Sequence, residues 1–204
     1  ETYKAYIGTG YAWAPSDDDA GRELIDSKDK LVTSYKYSYG SGYTETTALI
    51  KKWNTKAAAA YQAQNYNTLP ANSPKCTGWF LPTAGQYYAV MTTLGASFSR
   101  DWTGIYDGVT STHPKFGFFS NMTTVTTNIN NKLKKVGDLK YTEFFGNINT
   151  WAWTSSQLRS TDAVYIDSGI DDPNESGAIG SVRFFYANYK NSALLPPVRP
   201  FLAF

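Results

Sequence analysis

One histidine, His113, and one cysteine, Cys76, occur in the 204 residues. A serine or cysteine nucleophile needs an imidazole to take its proton, so any such site would have to use His113. That residue sits in the turn-like run Ser111-Thr112-His113-Pro114, where a surface histidine is the simpler reading. A lone thiol cannot close an internal disulfide, and one Cys with one His cannot complete a tetrahedral zinc site. Cys76 precedes a strand-like run and reads as a small packing residue. Glycoside hydrolysis would need two carboxyls facing each other across a cleft. Glu143, Asp101, Asp107 and Asp162 could supply a pair, but nothing in their spacing brings two together. No enzyme is expected, with a carboxylate-dependent carbohydrate-active enzyme as the weaker alternative.

Recognition chemistry is better represented. Asp171, Asp172, Asn174 and Glu175 surround Pro173 and offer the oxygen donors that calcium prefers. The Glu-Pro-Asn or Gln-Pro-Asp pattern of lectin-type calcium sites is absent, as is a Trp-Asn-Asp partner segment. The run therefore reads first as a solvated acidic turn, and calcium at Asp171, Asp172 and Glu175 is the second reading. Asp17, Asp18 and Asp19 read the same way. Trp102 and Tyr106 flank Gly104, while Tyr186, Asn188 and Tyr189 fall near a strand end. Aromatic faces stack on sugar rings, and amide groups hydrogen-bond hydroxyls, so these residues suit a glycan or a protein ligand. Core packing is the competing role for each aromatic.

Composition narrows the partners. Lys and Arg number 19 against 17 Asp and Glu, too close a balance for a surface that must neutralise a row of phosphates. The densest basic cluster, Lys132, Lys134 and Lys135, suits the end of a helix. Nucleic acid is set aside. Charged residues make up only 18% of the chain while Tyr alone supplies 16 residues, among abundant Ser, Thr and Asn. Tyr gives rigid amphipathic contact area at low entropic cost, and such uncharged surfaces suit recognition and export. No apolar run approaches the roughly 18 residues that a membrane span requires. The chain starts at Glu1 without a signal segment and reads as a mature or trimmed one.

The elements that would position these residues follow from periodicity. Residues 3–7 and 31–37 alternate like strands. Residues 44–66 read as helical, most firmly from Thr55 to Asn65, where Ala57 to Ala60 favour helix. Gly78-Trp79-Phe80-Leu81-Pro82 reads as a buried strand stopped by proline. Thr83 and Gln86 then form a capping box for a helix over 83–94, with Tyr87, Val90, Met91 and Leu94 on one face and Gly95 as its stop. Residues 96–121 read as loops with short strands. Val125, Ile129, Leu133 and Val136 mark a third helix ending at Gly137. Residues 151–156, 163–167, 181–189 and 198–204 read as strands. A helical middle between β-rich ends implies one α+β domain over 1–204, the assignment of 1–43 being the loosest.

Four of these segments, in this order, resemble the Fibrobacter succinogenes major paralogous domain family. They are Gly78 to Pro82 followed by Gly85-Gln86, the helix from Ile129 to Gly137, Trp151-Ala152-Trp153-Thr154-Ser155-Ser156-Gln157, and Val198-Arg199-Pro200-Phe201-Leu202-Ala203-Phe204. The third is similar to the family's Tyr-Trp-Ser-Ser-Thr-Glu, with Thr154 and Gln157 departing from its serine and glutamate. The resemblance implies a C-type-lectin-like fold of short mixed or antiparallel strands with two to three helices. It also implies an exported bacterial surface protein that binds without catalysis, with ligand contacts on the loops and strand faces of the second half. Trp79, Phe80, Leu81, Ser155, Ser156 and Arg199 then read as framework.

The expected function is a surface binding or adhesion module for a glycan or a protein, located outside the cell or on the outer membrane. It needs no cofactor. A structural subunit of a fimbrial or surface assembly, self-associating through the 96–121 stretch, is the alternative.

Overall fold

The computed structural model describes residues 11–15, 41–66, 78–98, 116–120, 151–159, 162–167, 182–188, 198 and 200–202, with isolated helical positions at 124, 127, 128 and 131. The class is α+β, as expected. Two compact units divide the chain, one from Glu1–Lys4, Ala89–Trp151 and Ile166–Phe185, the other from Ala5–Tyr88, Ala152–Tyr165 and Tyr186–Phe204.

The second unit opens with helix α1, Ser41–Trp53. It buries Gly42, Thr46 and Leu49 along one line and exposes Tyr43, Thr44, Thr47, Lys51 and Lys52. That division is the stripe of a surface helix. The expected single helical stretch is interrupted. A 3-10 turn, Asn54–Lys56, separates α1 from α2, Ala58–Gln64. Asn54 takes φ 52°, a left-handed conformation that Asn tolerates better than most residues. Trp53 meets the edge of Trp13 with ring centroids 6.4 Å apart. The N–H of Ala59, which has no acceptor within the first turn of α2, donates to the carbonyl of Ala12 at 3.0 Å. Ala58 to Ala60 are helical as their propensity suggests, and the break falls in the residues before them, 54–57.

Strand β1, Trp79–Phe80, pairs antiparallel with the strand nearest the C-terminus, Phe201–Leu202, through Trp79↔Leu202 and Phe80↔Phe201. Helix α3, Ala84–Thr93, follows Pro82 closely. Gln86 donates its N–H to Thr83 Oγ1 at 3.0 Å, and Thr83 donates its N–H to Gln86 Oε1 at 2.9 Å, a complete capping box. At the other end Ala96 N–H reaches Met91 O and Gly95 N–H reaches Thr92 O, with Gly95 at φ 101°. These are the two bonds of a Schellman stop. Both helix ends were legible from single residues.

Within the first unit, β2 (Ser97–Phe98) pairs antiparallel with β3 (Phe116–Ser120), placing Ser97 opposite Ser120. The third strand after β3 in chain order, β6, spans Val182–Asn188 and pairs antiparallel with β3. Phe119 faces Val182 and Phe116 faces Phe184, with a register shift between Phe116 and Phe118. Thr124, Thr127, Asn128 and Asn131 are helical and exposed, the polar complement of the apolar line expected for the third helix. Asn128 donates to Leu94 O at 2.8 Å and so caps the exit from α3.

Strand β4, Trp151–Arg159, lies beside β5, Asp162–Asp167. Ala152 to Gln157 are buried without interruption, as are Ala163 to Ile166. A strand buried on both faces must satisfy every polar side chain internally. That requirement shapes the framework described next.

Candidate functional site

The buried polar residues Thr46, Thr83, Thr154, Ser155, Ser156 and Gln157 belong to the second unit, and most of their resolved bonds go to backbone groups. Thr46 Oγ1 accepts from Leu81 N–H at 2.9 Å and donates to Leu81 O at 3.3 Å. One hydroxyl thereby completes both polar groups of a residue held next to Pro82, which has no N–H to offer. Ser156 Oγ accepts from Ala84 N–H at 3.0 Å, satisfying a donor in the first turn of α3. Thr154 Oγ1 donates to Val164 O at 2.8 Å and accepts from Ser156 N–H at 3.1 Å. Ser155 acts through its backbone, donating N–H to Pro82 O at 2.8 Å. Its own Oγ is buried with no hydrogen-bond partner among the described residues. Hydroxyls spent on backbone groups hold segments together.

Two tryptophans tie residues 11–15 to β4. Trp13 Nε1 donates to Thr154 O at 2.7 Å, and Trp153 Nε1 donates to Tyr11 O at 2.6 Å. Both indoles are fully buried, and Trp153 meets Tyr165 edge-on at 5.8 Å. Around β1, Tyr66 meets Trp79 edge-on at 5.1 Å and Tyr87 meets Phe201 at 5.0 Å. Edge-to-face pairs add about 1 kcal/mol each beyond the area they bury.

The framework roles expected of Trp79, Phe80, Leu81 and Ser156 agree with these contacts, while Ser155 differs in using its amide and not its hydroxyl. Arg199 lies outside the described residues. Compared with known proteins, the chain matches no family model, no curated protein and no solved structure.

Most of the expected ligand-contact residues also fall outside the described residues: Trp102, Tyr106, Asp171, Asp172, Asn174, Glu175 and Tyr189. So do His113, Cys76, Glu143, Asp101 and Asp107, whereas Asp162 is the first residue of β5. Tyr186 and Asn188 are backbone positions two apart at the C-terminal end of β6.

A surface not singled out in the sequence stands out on α1. Tyr43 is the one large apolar side chain counted as exposed among the described residues. Thr47 and Lys51 follow it at successive turns, and Lys52 Nζ rests 4.8 Å from the centre of the Trp53 ring. Lys56 is exposed in the turn beyond. The available signal was the helical spacing of Tyr43, Thr47 and Lys51, concealed because the helix was expected to start one residue after Tyr43.

Proposed function

We propose that the chain is a non-catalytic ligand-binding module of an exported bacterial surface protein, built on a C-type-lectin-like fold and directed at glycans. One observation carries this reading. Three of the four segments behind the family resemblance are joined physically: β1 pairs with Phe201–Leu202, and Pro82 and Ala84 are bonded to Ser155 and Ser156. Motifs that merely recur by chance have no reason to meet in one frame. Their side chains are used in packing and backbone bonds, which leaves recognition to the surface outside them. Polar and aromatic side chains on such a surface suit the hydroxyls and ring faces of a sugar.

The test is equilibrium binding of the full chain to a glycan array. Saturable binding to a chemically related subset is the expected result. Silence across the array, or hydrolysis of any arrayed glycan, would reject the proposal.

A further inference from the structure

We infer that the seat of residues 11–15, between α2 and β4, is an interface for a second copy of this chain, accepting that copy's residues 11–15 in place of its own. The inference is independent of what the module binds.

Elements distant in sequence build the seat. Trp13 meets Trp53 at the end of α1, and Ala12 O takes the N–H of Ala59. Trp13 Nε1 reaches Thr154 O while Tyr11 O receives Trp153 Nε1. All of these residues belong to the second unit. The two indole bonds join residues 141 and 142 positions apart. Such bonds depend on the seat and on the side chains that fill it, so the same residues from a second copy make them unchanged. Exchange of an identical element is a low-cost route to a dimer for that reason.

The segment has the make-up of an interface anchor. Trp13 and Ala14 are 0% and 1% exposed, yet Pro15 beside them is exposed, so the chain enters the core and leaves it within a few residues. One tryptophan sunk in a dry pocket is the commonest kind of anchor between separate proteins.

β4 also requires an occupant. Ser155 N–H goes to Pro82 O, Ser156 N–H to Thr154 Oγ1 and Thr154 O to Trp13, so three neighbouring backbone groups of this strand bond to partners other than a strand. An empty seat would strip Thr154 O and the Trp153 indole of these partners, which favours refilling from whichever copy is nearer. A tethered segment acts at an effective concentration of about 1 mM, so a second copy competes where chains are packed to similar density.

The experiment refolds the full chain from guanidinium at about 0.01 mM and at about 1 mM, below and at that effective concentration, and reads its mass by native mass spectrometry. Monomer is expected at the lower concentration and dimer at the higher. Isotope-labelled and unlabelled dimers are then mixed, and the appearance of the mixed dimer is timed. Exchanged subunits part only when both seats empty. Trp13→Phe and Trp153→Phe each remove one indole bond, and each should speed mixing about tenfold, the equivalent of one buried bond. Tyr43→Phe, on the exposed side of α1, should leave the rate unchanged. Monomer alone at both concentrations would overturn the inference. So would a dimer whose mixing rate neither Trp variant alters, because that dimer is held by another surface.

Discussion

Trp13 and Trp153 donate their indole N–H groups in opposite directions between the same two segments: Trp13 to the carbonyl of Thr154, Trp153 to the carbonyl of Tyr11. Each ring is buried, so each carbonyl depends on its indole partner in place of water. The pair fastens residues 11–15 to the strand that also supports the start of α3. Replacing either indole by Phe keeps most of the apolar volume and removes one bond. Each single variant should lose about 1–3 kcal/mol in denaturant unfolding. Because both bonds close the same junction, the double variant should lose less than the sum of the two. Strict additivity would show that the two bonds act independently.

Ser155 and Ser156 are adjacent, both buried, and should respond in opposite ways to loss of the hydroxyl. Ser156→Ala strands the Ala84 N–H and should cost about 1–3 kcal/mol. Ser155→Ala removes a buried oxygen that has no partner among the described residues, and should be neutral or stabilising. Melting temperatures of the two variants under one condition decide the matter. Equal losses would contradict the bonding described.

Thr83 tests the capping box. Thr83→Ala removes the acceptor for Gln86 N–H and should cost about 1 kcal/mol, while Thr83→Ser should retain most of that stability. Far-ultraviolet circular dichroism during denaturation is the suitable readout, since α3 is the element affected.

Two glycines should fail for different reasons. Gly78 has φ 82° with no atom within 4 Å of an added Cβ, so Gly78→Ala should cost only the backbone strain, roughly 1–2 kcal/mol. Gly42 belongs to α1, where alanine suits the backbone, but the added methyl would press on Phe80 and on Gln86 of the capping box. Overpacking of that kind costs about 1–3 kcal/mol. Gly42→Ala should be relieved by Phe80→Leu, whereas Gly78→Ala should not. Unfolding midpoints of the three single and two double variants check this.

These contacts also show what the sequence could and could not reveal. Thr83, Gln86 and Gly95 announce α3 because a cap and a stop depend on neighbours within a few residues. The strands expected over 151–156 and 163–167 were legible from their aromatic, apolar and β-branched residues, and lie within Trp151–Arg159 and Asp162–Asp167. Trp13 was not, because both indole bonds span more than 140 residues and leave no local trace. The break at residues 54–57 left no local trace, whereas Ala58 to Ala60 are helical as their propensity suggests, with the Ala59 N–H taken by the distant Ala12 carbonyl. The surface of α1 was missed because the helix starts earlier than propensity alone suggested, bringing Tyr43 into line with Thr47 and Lys51.

Whether recognition proceeds without bond cleavage is tested most directly by incubating the full chain with the glycan it binds and weighing that glycan by mass spectrometry. The account predicts that the ligand is held at saturating, reversible occupancy and recovered at its original mass. Fragments that accumulate with time and protein concentration would contradict it.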